Sequence, residues 1–200
     1  MVRRMLGLAP LLVVMMLGLV GAGSFALAGD GGGDESSWGT DHHGRGHHER
    51  CDQGRYSAWD EEWLMMSIQG DRFEIAGGQL AQARGTLPEV LNLADRLVAD
   101  HSKSLEDAID VADELGIDVP DSPSPTQQWA LRVVSRFHGR KFDRWYADLE
   151  VQDHMQDIQE AEDEVDKGCN PEVRQLAEDD LPVLREHLAL AEAALEASTP

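Results

Sequence analysis

Basic residues and cysteine are scarce in this 200-residue chain, and each scarcity excludes a class of protein. There are 17 lysines and arginines against 38 aspartates and glutamates, a formal net charge of −21. A surface this acidic repels phosphate backbones, which excludes a nucleic-acid partner. Cysteine occurs only twice, and no Cys-x-x-Cys-His motif is present, which excludes an attached c-type haem.

Familiar catalytic motifs and long apolar runs are also missing. The sequence contains no glycine-rich phosphate loop and no Gly-x-Ser-x-Gly nucleophile elbow. After residue 28 no apolar run is long enough to cross a bilayer, so we expect no membrane span in the mature chain. The apolar content of 42% nevertheless permits a folded core and excludes general disorder.

Residues 1–28 have the pattern of a secretory signal peptide. Arg3 and Arg4 supply the positive start, residues 6–20 supply the apolar segment, and Ala26-Leu27-Ala28 is an A-x-A cleavage site. An uncleaved membrane anchor is the alternative, because the segment has no charge after Arg4. Cleavage would change the net charge from −21 to −23. We therefore expect an exported protein of the periplasm or cell envelope.

Residues 29–57 are predicted to form a disordered arm rich in glycine and histidine. The segment has too few apolar residues to fold by itself. It contains two histidine pairs, His42-His43 and His47-His48. Paired imidazoles on a flexible chain could capture Zn²⁺, Cu²⁺ or Ni²⁺ weakly, while the alternative is a soluble spacer with incidental histidines.

Residues 58–200 are predicted to form an all-α domain. Glycines at 85, 116 and 168 end helical patterns, and Pro88 and Pro171 stand at helix starts, the second behind the N-cap Asn170. These signals predict four long helices and one short helix over residues 60–84, 88–115, 127–137, 141–167 and 171–197.

The connection between the second and third long helices is much longer than the other two. This spacing predicts two antiparallel hairpins joined by a crossover, which is a ferritin-like four-helix bundle rather than a simple up-down bundle. The crossover would bring Cys51 and Cys169 to the same end of the bundle. In an oxidising compartment we therefore expect these two cysteines to form a disulfide, with two free thiols as the alternative.

Three histidines occupy positions on the apolar seams of their helices. His101, His154 and His187 each continue a three-four spacing of apolar residues near the middle of a long helix, and Glu74 lies near the middle of the first. At a shared depth they could form a metal site with three nitrogen ligands, or with three nitrogens and one oxygen. The alternative is a layer of neutral histidines that hydrogen-bond to carboxylates and tyrosine.

Acidic residues near these histidines refine the hypothesis. Asp100, Asp153 and Glu186 each precede a histidine directly, and adjacent residues on a helix point about 100° apart, so we expect none to share its neighbour's site. Glu150 and Asp157 are better placed to orient His154. No Glu-x-x-His motif is present at the three histidines, which disfavours a ferritin-type oxidase centre.

Five short motifs occur along the helical part of the chain in a fixed order. The motifs are Ala83-Arg84-Gly85 leading to Pro88-Glu89-Val90, Leu97-Val98-Ala99-Asp100-His101, Phe142-Asp143-x-x-Tyr146, Val151-x-x-His154, and Leu181-Pro182-x-Leu184-x-x-His187-Leu188. Together they resemble the exported bacterial family called domain of unknown function 4142, whose members are often labelled predicted outer membrane proteins. The resemblance covers about residues 68–195 and implies a ferritin-like fold in the periplasm or envelope, but no established activity.

The sequence thus predicts an exported helical-bundle protein that binds a divalent transition metal, Zn, Cu or Fe, through core histidines. The competing hypothesis is a structural or partner-binding envelope protein that holds no metal. The sequence favours a non-catalytic role over an enzyme and does not identify a protein partner.

Overall fold

A computed structural model describes residues 55–199, and these residues contain five helices and no strand. Four are long and one is short: α1 (Ala58–Arg84), α2 (Pro88–Leu115), α3 (Pro125–Val134), α4 (Arg140–Lys167) and α5 (Pro171–Ser198). The predicted signal peptide, the arm histidines His42, His43, His47 and His48, and Cys51 lie outside the described residues.

Local sequence signals explain where the helices begin. Ser57 caps α1 in a capping box with Asp60, and Asn170 caps α5 by accepting hydrogen bonds from two backbone N–H groups of the first turn. The short helix α3 begins and ends earlier than the predicted 127–137. Ser124 forms a capping box with Gln127, which makes Pro125 the first helical residue.

The helix neighbours define the topology. Helix α1 packs against α2 and α4 packs against α5, while α2 also packs on α5 and α1 on α4. Helices α1 and α4 would be diagonal in an up-down bundle, so their contact indicates the crossover arrangement. The fold is therefore all-α and ferritin-like, as the sequence predicted, and residues 116–139, which include α3, form the crossover.

Hydrogen bonds at the two ends of the bundle agree with this topology. At one end the Asp60 carboxylate accepts from the backbone N–H groups of Cys169 and Asn170, at 2.7 and 2.9 Å, which joins the start of α1 to the α4–α5 turn. At the other end the N–H of Thr86 donates to Asp143 at 2.8 Å, which joins the α1–α2 turn to the start of α4.

A buried polar layer separates two apolar clusters. One cluster includes Leu93, Phe142 and Ala191, and the other includes Leu64, Ala108 and Ala161. On each long helix, members of this layer lie in sequence between residues of the two clusters, and on α4 Glu150 directly precedes Val151 of the first cluster. The members of the polar layer are Asp71, Glu74, His101, Glu150, Asp153, His154 and His187.

Membrane-spanning character is not found in the described part of the chain. Within residues 55–199, no helix is both long enough and apolar enough to cross a membrane.

Candidate metal centre

Three histidine rings meet in the polar layer, each from a different helix. His101 of α2, His154 of α4 and His187 of α5 are buried, with 6%, 0% and 0% of their surface exposed. Their ring centroids lie 5.2 to 5.8 Å apart. One ring nitrogen from each histidine lies within 4.8 Å of the corresponding nitrogens of the other two. The structure thus brings together the three histidines that the seam spacing singled out.

Each ring uses one nitrogen in a hydrogen bond to the protein. His154 Nδ1 donates to the backbone carbonyl of Glu150 at 2.9 Å, and His101 Nδ1 bonds to Asp71 at 2.8 Å. His187 Nε2 bonds to Asp100 at 2.9 Å. The second nitrogen of every ring has no hydrogen-bond partner: Nε2 of His101, Nε2 of His154 and Nδ1 of His187. Metal-binding histidines have this arrangement, because a hydrogen bond at one nitrogen fixes the tautomer and leaves a lone pair on the other.

Burial keeps the imidazoles of His154 and His187 neutral. It lowers the pKa of His154 to about 3, and the neighbouring His101 and His187 contribute to the same effect. Burial also lowers the pKa of His187, although the hydrogen bond to Asp100 opposes that shift. Neutral imidazole is the form that binds a metal ion, so His154 and His187 are in the binding form at neutral pH.

A group of carboxylates adjoins the histidines. Glu74 of α1 faces Glu150, Asp153 and Asp157 of α4, and burial raises the pKa of all four side chains. For Glu150 the pKa rises to about 7. Neighbouring negative charges raise the pKa of Glu74 further, because a second charge nearby disfavours ionisation.

The position of Glu74 differs from the simplest version of the sequence hypothesis. Glu74 forms candidate ligand sets with Glu150 and His154, and with Asp153 and Asp157, but not with His101 and His187. It therefore belongs to the carboxylate group, and His154 is the residue that the two groups share.

Two orienting aspartates were missed by sequence reasoning. Asp100 indeed does not bind its neighbour His101, but it reaches across to His187 on α5. Asp71, which the sequence did not single out, holds His101. Asp153 was not expected to share a site with His154, because adjacent residues on a helix point about 100° apart. It nevertheless joins the carboxylate group. The third acidic neighbour, Glu186, is exposed and pairs with Arg96 at 3.1 Å.

The aromatic motif at the start of α4 has a structural role. Asp143 bonds to Thr86, whereas Tyr146 stacks on Phe142 with ring centroids 5.8 Å apart. Asp143 and Tyr146 therefore do not form a joint polar cluster.

A cavity of about 310 Å³ reaches the histidine site from one side. His101 and His187 are in its wall, and so are exposed residues such as Met66. Seven of the lining side chains are acidic and one, Lys103, is a cationic lysine. Burial raises the pKa of one of these acids, Asp180, to about 7. A cleft lined mainly by one sign of charge concentrates ions of the opposite sign, so this cavity favours the entry of cations.

Comparisons with known proteins agree with the fold and do not assign an activity. A model of the family described as "Domain of unknown function (DUF4142)" matches residues 46–194. No curated protein matches the chain. Among solved structures, the chain is similar to the crystal structure of a DUF305 fragment from Deinococcus radiodurans, with a TM-score of 0.63 and 14% identity. That alignment covers 71% of this chain and 98% of the other.

Proposed function

The chain belongs to the family described as Domain of unknown function (DUF4142), and since membership assigns no activity, we propose a function from its site. This protein is an exported metal-binding protein that holds one divalent transition-metal ion through His101, His154 and His187. Its role is binding rather than catalysis. Export rests on the signal-peptide pattern of residues 1–28.

The observation that carries the proposal is the pairing pattern of the three rings. Every ring has one nitrogen engaged by a protein oxygen and one nitrogen without a partner. A purely structural histidine gains stability by satisfying both nitrogens, because a buried polar atom without a partner costs about 1–3 kcal/mol. Three such atoms in one layer are explained if a single ion binds all three.

The ligand chemistry defines the class of metal. Three neutral imidazoles suit Zn²⁺, Cu²⁺ and Fe²⁺, which accept nitrogen ligands, better than Ca²⁺ or Mg²⁺, which prefer oxygen. The acidic cavity beside His101 and His187 would supply these cations to the site.

A metal titration with matched variants tests the proposal. The full-length chain is freed of metal with a chelator and titrated with Zn²⁺, Cu²⁺ and Fe²⁺ under anaerobic conditions, and bound metal is counted by elemental analysis. All variants also have the four arm histidines replaced by glutamine, so that only the core site is counted. We expect one ion per chain, and loss of that ion when His101, His154 and His187 are all replaced by leucine.

His138 provides the matched control, because it is an exposed histidine of the crossover segment. His138→Gln should retain the full metal stoichiometry. Binding that is unchanged in the triple leucine variant would refute the central site. A wild-type chain that takes up no metal, and whose thermal stability is the same with and without chelator, would instead support the structural or partner-binding alternative.

A further inference from the structure

Four carboxylates lie buried between α1 and α4 with no cation to balance them. Glu74 and Glu150 are fully buried, Asp153 is 4% exposed, and Asp157 is partly buried. Glu150, Asp153 and Asp157 are spaced by three and four residues, so they share one face of α4. Among residues 55–199, no lysine or arginine forms an ion pair with any of the four.

Most of their oxygen atoms also have no hydrogen-bond partner. Both carboxylate oxygens of Glu74, both of Glu150 and Oδ2 of Asp153 are buried without one. Buried charges in proteins are normally paired with an opposite charge or bound to a metal, because an isolated charge in a protein interior is costly. Glu74 and Asp153 therefore point to a ligand that this group of acids receives from outside the chain.

The geometry points to a second cation site. We propose that Glu74, Asp153 and Asp157 bind a hard divalent cation of the Mn²⁺ or Ca²⁺ class, next to the histidine site. One carboxylate oxygen from each of the three lies within 4.8 Å of those of the other two. The set contains only oxygen donors, which hard cations prefer and which contrast with the three nitrogens of the histidine site.

The position of this second site explains how an ion would reach it and how it would interact with the first. Asp157 lies in the wall of the acidic cavity, so the carboxylate site and the histidine site open onto the same space. Glu74 also lies within 4.8 Å of a ligand atom of His154. The two sites adjoin at His154, but the carboxylate site includes no histidine and does not depend on the function proposed above.

Manganese titration distinguishes this site from the histidine site. Metal-free full-length protein first receives one equivalent of Zn²⁺ and is then titrated with Mn²⁺, while the six-line EPR signal of free Mn²⁺ is recorded. We expect one Mn²⁺ per chain to be removed from the free pool. The triple leucine variant of the three histidines should still bind Mn²⁺, which separates the failure of one proposal from the failure of the other.

Variants of the acids show whether Mn²⁺ binds at this carboxylate site. Glu74→Gln should weaken Mn²⁺ binding at least tenfold, whereas Glu62→Gln should leave it unchanged, because Glu62 is exposed on the same helix and loses the same charge. Asp157→Asn provides a second test at a partly exposed position if Glu74→Gln fails to fold. Competition by Ca²⁺ for the bound Mn²⁺ identifies the hard-cation class.

A stability measurement distinguishes a cation site from a purely structural cluster, because only a cation site reverses the order of stability of variant and wild type when Mn²⁺ is added. Without metal, Glu74→Gln should be as stable as the wild type or more stable, because the neutral amide replaces a buried carboxyl whose pKa is raised by burial and by its acidic neighbours. With excess Mn²⁺ the order should reverse, because only the wild type gains binding energy. The proposal is overturned if no Mn²⁺ binds, if Glu74→Gln and Asp157→Asn bind it as the wild type does, or if Glu62→Gln weakens binding equally.

Discussion

Asp71 offers a sharp test of how the histidine site is built. Its carboxylate lies 2.8 Å from Nδ1 of His101, and both side chains are almost fully buried. This bond holds the ring in the tautomer that leaves Nε2 free for a metal. Replacing Asp71 by Asn keeps the shape but removes the negative charge that favours the Nδ1–H donor. We expect zinc affinity to fall while the fold is retained.

The expected magnitude follows from the contacts. Removing the partner that orients a metal-binding histidine usually weakens metal affinity by about 10- to 100-fold, or about 1.4–2.7 kcal/mol. Asp71 belongs in the upper part of this range because it is buried and serves only one ring. Asp100 should matter less, because its carboxylate is 28% exposed and is shared between His187 and Arg96, at 2.9 and 3.1 Å. Because solvent and Arg96 already screen the charge of Asp100, its removal should change the zinc affinity less.

Asp107 supplies the matched control. It lines the same acidic cavity but pairs with Lys103 and touches no histidine. Asp107→Asn therefore removes the same formal charge without changing any ring. Zinc dissociation constants are measured by competition with a chromogenic chelator, in variants that also lack the arm histidines. Asp71→Asn should bind zinc most weakly and Asp100→Asn with intermediate affinity, while Asp107→Asn should bind it within about threefold of the wild type.

Two results would contradict this reasoning. Equal losses in Asp71→Asn and Asp107→Asn would mean that the cavity acts only through its overall negative charge. No loss in Asp71→Asn would mean that His101 is not a ligand. Thermal unfolding of the metal-free proteins checks the interpretation, because the Asp71 variant should melt within a few degrees of the wild type.

Three further predictions concern the fold. Gly78→Ala should destabilise the protein by about 1–3 kcal/mol, because a Cβ there would lie 2.7 Å from a valine methyl of α2. Gly70→Ala on the same helix should stabilise the protein by about 0.5–1 kcal/mol, because a Cβ there meets nothing within 4 Å. Urea unfolding compares the two variants. Burial raises the pKa of Glu164 from 4.5 to about 8. Between these two pH values the folded state holds the Glu164 proton, whereas the unfolded state has released it. The stability contributed by Glu164 should fall as pH rises from about 4.5 to 8, and Glu164→Gln should flatten the pH profile of thermal unfolding. A profile that is unchanged in Glu164→Gln would show that Glu164 is ionised in the folded protein. Mass spectrometry of the non-reduced chain, purified from an oxidising compartment, should detect a Cys51–Cys169 crosslinked peptide, and recovery of both thiols free would disprove the pairing.

The fold and the histidine trio could be predicted from sequence because both depend on features within single helices. A glycine or proline marks a helix end wherever the helix packs, and a histidine on an apolar seam faces the core whichever helix covers it. The crossover followed from one long connection between otherwise short turns. His101, His154 and His187 then met at one depth because each lies near the middle of a helix of 28 residues.

The aspartates that orient the rings depend on relations between helices. Asp100 reaches His187 because α2 and α5 are neighbours with a particular axial offset and rotation, and periodicity within one helix does not define either quantity. Asp71 meets His101 for the same reason, across α1 and α2. Glu74 was placed at the right depth, but its rotation about α1 directs it to the acids of α4 rather than to all three histidines.

The distribution of unpaired polar atoms connects the two proposed sites. Of the 13 buried side-chain nitrogen and oxygen atoms without a partner in residues 55–199, ten belong to the histidine and carboxylate groups or to the adjoining Asp71 and Tyr146. Each buried polar atom left without a partner costs about 1–3 kcal/mol, so a layer that concentrates these atoms favours a bound ligand. Protons could relieve the carboxylates, but a proton on a second ring nitrogen would place positive charges side by side among the three histidines. A metal ion relieves the nitrogens without that repulsion, because it replaces three separate charges with one shared charge at the centre of the rings.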